Sequence, residues 1–180
     1  MYAAGISALA AGRFDTLRPA LLTPVYAGSG RGTLPIVVAV MNEIIDIEDQ
    51  FKRLPDMKQK YVPRSEHIYK RIQPILEDQL FLGRSYDNFF DEFEMMLALT
   101  YADSRDGNDA LSVWGPPGRF IWKERGRFSE NPVYSNFTKS AKELGEQWNA
   151  IRAGFFKSSA KRFADIADGY SKRLASVNLW

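Results

Sequence analysis

Apolar residues recur every three or four positions through most of this chain, with polar residues between them, and that spacing predicts helices almost throughout. In 2–12, Tyr2, Ile6 and Leu9 share a face, alanines fill the gaps and Gly12 supplies a stop. Phe14, Leu17 and Leu21 mark a second short helix over 14–22, weakened by Pro19 and ended by Pro24. From Leu34 onward Val37, Val40, Met41, Ile44, Ile47 and Phe51 form a stripe, with Glu43, Asp46, Asp49 and Gln50 away from it. After a polar connection, 52–64, a further helix has Ser65 as its N-cap and Ile68, Ile72, Ile75, Leu76 and Leu80 on one face. Gly83 ends it, and Pro74 predicts a kink or a fresh start inside it. The next helix, SYDNFFDEFEMMLALTYADSR, turns Phe89, Phe90, Phe93, Met96, Leu97, Thr100 and Tyr101 inward and Asp87, Asp91 and Glu94 outward.

Between 103 and 132 the period is lost. Val113 and Trp114 before GPPG, with Phe120, Ile121 and Trp122 after it, predict a small β-hairpin or an extended excursion packed on helices. Beyond it Phe137, Ala141, Leu144, Trp148, Ile151 and Phe155 are followed, one residue out of step, by Phe156, Ala160, Phe163, Ala167, Tyr170 and Leu174. Either one long helix kinks near Gly154 or two helices meet there. The fold class expected is an all-α bundle of six or seven helices with a small irregular or hairpin insertion around 111–130.

Composition adds limits. At 180 residues, 45% of them hydrophobic, the chain is long enough for a sizeable core, and one domain over 1–180 is the default. Its first helix starts without a cap, which suits a domain cut from a longer protein. The net charge of +2 conceals an asymmetry: residues 1–110 carry a net −4 and residues 111–180 a net +6. No cysteine is present, which removes disulfides, thiolate metal sites and cysteine nucleophiles and fits a reducing, cytoplasmic setting. No stretch approaches the roughly 20 apolar residues that span a bilayer, so no membrane partner is expected.

Candidate chemistry is sparse. AGSGRGTLP, at 27–35, has the glycines of an anion-binding loop, with Gly30, Arg31, Gly32 and Thr33 as its ligand set. It lacks the lysine and the preceding strand of a phosphate loop, so the ordinary reading is a flexible tether whose Thr33 caps the next helix. The single histidine, His67, rules out multi-histidine metal sites and leaves a catalytic triad without its other members. Two acidic clusters, Glu43, Asp46, Glu48 and Asp49, and Asp87, Asp91, Glu92 and Glu94, offer carboxylates for Mg²⁺ or Mn²⁺, but solvated helix faces are acidic in the same way. In RFIWKERGRF the cations Arg119, Lys123, Arg125 and Arg127 alternate with aromatics including Trp122, as in nucleic-acid binders. Trp114 and Trp122, flanking GPPG, are candidate anchors for an interface.

The reading that results is a non-catalytic helical interaction or scaffold domain, without cofactor, that binds a protein partner or itself. Two others stand beside it: a nucleic-acid-associated domain using 119–128 and the basic C-terminal helices, and an enzyme with a carboxylate metal site or an anion pocket at 28–33.

Overall fold

The computed structural model describes residues 1–28, 30–80, 85–105, 114–125 and 133–176. Ten α-helices and one two-stranded sheet account for most of them, in the order α1 (Tyr2–Ala10), α2 (Phe14–Leu22), β1 (Pro24–Tyr26), β2 (Thr33–Pro35), α3 (Ile36–Asp46), α4 (Glu48–Phe51), α5 (Pro63–Leu80), α6 (Tyr86–Arg105), α7 (Phe120–Arg125), α8 (Val133–Leu144), α9 (Asn149–Arg152) and α10 (Ala160–Ser176). The all-α bundle with a small hairpin is therefore the architecture observed. No helix among the described residues is long and apolar enough to cross a membrane.

α6 is the axis of the bundle. The run from Phe93 to Ala102 is buried on every side, as a helix apolar around its circumference must be. Around it pack α1, α3, α5, α7, α8 and α10. Phe90, Phe93, Met96, Leu97 and Tyr101 join Ile6, Leu17, Val37, Met41, Phe120, Tyr134, Trp148 and Phe163 in one connected core. α5 runs from Pro63 to Leu80 through Pro74 as one helix. Ile75, expected on its inner face, is 62% exposed, and so is Leu144 of α8 at 53%.

The hairpin lies elsewhere than expected. Val25 pairs with Leu34 and Tyr26 with Thr33, antiparallel, so the glycine-rich stretch forms the turn between two strands. Thr33 is thus a strand residue, and α3 starts behind Pro35 with no side-chain cap. Residues 114–118 form no regular element and 119 is a turn, the irregular excursion allowed for, while 120–125 form a helix and not a second strand. Positions 111–113 and the helix stop at Gly83 lie outside the described residues.

The long C-terminal pattern is broken twice. Gly145 and Gly154 both take positive φ, 53° and 91°, which glycine adopts without strain, and short 3₁₀ turns at Gly145–Gln147 and Phe155–Ser158 divide α8, α9 and α10. Phe156, Lys157 and Ser158 then run through left-handed φ values of 52° to 56° without being glycines. The turn sets Trp148, Phe156 and Phe163 against one another, with Trp148 and Phe163 ring centres 4.7 Å apart.

Candidate interaction site at Trp122

The first turn of α5 is unusual in being buried and charged together. Arg64 is 1% exposed, Ser65 0% and Glu66 8%, and α6 contributes Asp91 at 0% and Glu94 at 2%. Asp87, Asp91 and Glu94 stand at i, i+4 and i+7, so they share one stripe of α6. That stripe faces α5, α7 and the 114–119 strap, which corrects the outward placement of Asp91 and Glu94 expected from their charge.

Glu94 is the centre of the deeper half. It accepts from Tyr2 Oη at 3.1 Å, from Ser65 Oγ at 2.6 Å and from the Arg119 backbone N–H at 2.9 Å. Arg64 donates to Tyr2 Oη at 3.1 Å, to Glu48 Oε2 at 3.0 Å and to the Pro117 carbonyl at 2.5 Å. A buried guanidinium is tolerated only when its charge and its donors are met in this way. Burial raises Glu94 above the usual carboxylate range in spite of Arg64, and burial together with Glu94 raises Tyr2 well above the usual phenol value.

The shallower half belongs to α7. Arg119 donates to Asp87 at 2.5 Å and lies 3.7 Å from the centre of the Tyr69 ring. Lys123 donates to Asp87 at 2.6 Å and also to Asp91. Burial raises Asp91, with Lys123 opposing. For Asp87 burial also acts upward, but Lys123 and Arg119 outweigh it and hold the carboxyl below its usual range. Asp91 Oδ1 and Arg119 Nε are buried without a hydrogen-bond partner.

Trp122 stands at the rim. Its indole N–H donates to Glu66 Oε1 at 3.2 Å, and its ring remains 41% exposed. Trp114, in contrast, is partly buried and packs edge-on against Tyr101 at 5.6 Å. Of the cations proposed for nucleic acid, Arg119 and Lys123 face carboxylates inside the protein; the side chain of Arg125 and all of Arg127 lie outside the described residues.

The glycine-rich turn is also accounted for locally. The N–H groups of Arg31 and Gly32 both donate to the Gly28 carbonyl, Gly28 and Gly32 take positive φ, and the Arg31 guanidinium pairs with Glu43. In place of a tether, a closed turn holds Arg31. His67 rests on Phe51, ring centres 5.6 Å apart. No group of three or more metal-ligating side chains occurs among the described residues. An open groove of about 490 Å³ runs between α8 and α10, lined by Ser135, Thr138, Lys139, Lys142, Asp168 and Ser171 among others. Lys139 and Lys142, from the basic C-terminal helices, line it; Lys142 pairs with Asp168 across the groove, and the Thr138 hydroxyl bonds back to the carbonyls of Tyr134 and Ser135.

The signal for the buried network was present in the i, i+4, i+7 spacing of its acids and in the GPPG glycines. A Cβ on Gly115 would lie 2.3 Å from the Ala98 carbonyl oxygen, and one on Gly118 2.4 Å from Glu94 Oε2. Those two glycines let the strap lie directly on α6. No protein-family model matches the chain, and neither a curated protein nor a solved structure matches it.

Proposed function

We propose that this chain is a non-catalytic helical interaction domain in which Trp122 anchors a protein partner. The observation that carries the reading is an exposed tryptophan whose orientation is set in advance. Glu66 holds its indole N–H, and the residues on either side of its helix turn, Arg119 and Lys123, are pinned to Asp87 and Asp91. Interface anchors are enriched in tryptophan, and a side chain already held in place loses less entropy on binding. The buried acids and bases support the same reading, since they face one another and not an open cavity.

A photo-reactive residue placed at 122, and separately at the exposed Lys139, tests this in the cells that produce the protein. The expected result is a discrete protein adduct from 122 that does not form from 139, competed by added wild-type chain and not by Trp122→Ala. An adduct that nuclease removes would transfer the site to the nucleic-acid reading. The absence of any adduct specific to 122 would leave Trp122 with no anchoring role.

A further inference from the structure

α3 carries two apolar faces, and the core uses one. At 100° per residue Val37, Val38, Met41 and Ile45 point into the bundle, whereas Ile36, Val40, Glu43 and Ile47 fall within about 60° of one another on the far side. Val37, Val38 and Met41 are buried; Ile36 and Val40 are part-exposed and do not join the core, and Ile47 is 42% exposed. An outward apolar stripe of this kind is the mark of an association surface.

We propose that two copies of this chain pair through this stripe, α3 against α3, about a two-fold axis. Charge selects the occupant. The one charged residue on the stripe is Glu43, and it is met by Arg31 from the hairpin turn. A partner of a single charge sign would set a like charge against one of the two. A second copy turned by a two-fold brings the same pair with its order reversed, so the surface complements itself, as an isologous contact requires. The stripe runs the length of α3, 11 residues or about 16 Å, and on to Ile47 at its C-cap, so the contact is a small one.

This surface shares no residue with the Trp122 rim, so the two readings fail separately: a monomer here leaves the adducts from position 122 untouched. The cysteine-free chain gives a clean experiment. Sedimentation of the full chain from low to several hundred micromolar is expected to show a monomer–dimer equilibrium, and Val40→Cys is expected to form a covalent dimer on mild oxidation while Lys139→Cys does not. Ile47→Lys, at an exposed position that leaves folding intact, is expected to weaken the dimer at least tenfold, and Val40→Lys to abolish it. A wild-type chain that stays monomeric over this range overturns the proposal, as does a dimer that survives both lysine substitutions.

Discussion

Gly115 shows how much one side chain can decide. The strap at 114–119 lies so close to α6 that a methyl group on Gly115 meets a backbone carbonyl, which has no rotamer through which to yield. Gly115→Ala is expected to cost about 2–3 kcal/mol, the upper part of the usual range for overpacking. Gly30→Ala, where nothing lies within 4 Å of the added Cβ and φ is not in the left-handed range, should change stability by less than about 0.5 kcal/mol. Chemical denaturation of the two variants reads the difference; equal losses would mean that the strap stands further from the helix than described. At this scale the sequence showed where glycines sit and not which of them touch something. Three glycines between 28 and 32 stand out as a ligand loop, and in the turn they make the N–H groups of Arg31 and Gly32 donate to the Gly28 carbonyl. Of the two glycines of GPPG, Gly115 is pressed against the backbone of Ala98 and Gly118 against the side chains of Glu94 and Phe120.

Among the elements, the long ones were legible and the short ones were not. α6 could be read because its apolar period is sustained over many turns and its middle is apolar all round. β1 and β2 have three residues each and α7 has six, too few for either a twofold or a 3.6-residue period to declare itself. The inward aim of Asp91 and Glu94 was hidden for another reason. Their partners, Arg64, Arg119 and Lys123, come from other parts of the chain, and a carboxylate considered apart from its cation reads as solvated. Removing one partner exposes the cost of the arrangement. Arg64→Met keeps most of the volume but strands Glu94 and the Pro117 carbonyl, and is expected to cost about 3–5 kcal/mol. Lys70→Met, which loses an exposed pair with Asp56, should cost no more than about 1 kcal/mol. If urea midpoints for the two variants moved alike, the buried pair would be contributing no more than a surface one.

For the molecule as a whole, these buried carboxyls set a dependence on pH with a definite sign. Asp91 and Glu94 have folded-state values above the ordinary carboxylate range, so the folded protein binds their protons more tightly than the unfolded chain does. Their contribution is complete below the unfolded value of about 4 and is lost as pH rises through the raised folded values. Asp87 has the opposite sign: its lowered value contributes stability above about 4 that disappears as pH falls through it. Thermal midpoints are therefore expected to peak on the mildly acidic side and to decline toward both pH 3 and pH 8. Asp91→Asn should flatten the decline on the neutral side. A midpoint that climbs steadily from pH 5 to pH 8 would contradict the assignment.

The same network has a consequence for time. Arg64 reaches Glu48, Glu94, Pro117 and Tyr2, partners 16, 30, 53 and 62 positions away along the chain, so it closes only after α1, α5, α6 and the strap have docked. Contacts between segments so far apart form late on the folding path, and interactions absent from the transition state act on the escape rate and not on the entry rate. The loss caused by Arg64→Met should thus fall mainly on the unfolding limb of a chevron plot, with refolding little changed. Tyr2 sits inside that latch, bonded to both Arg64 and Glu94, so the N-terminal helix is fastened by the same late-closing contacts.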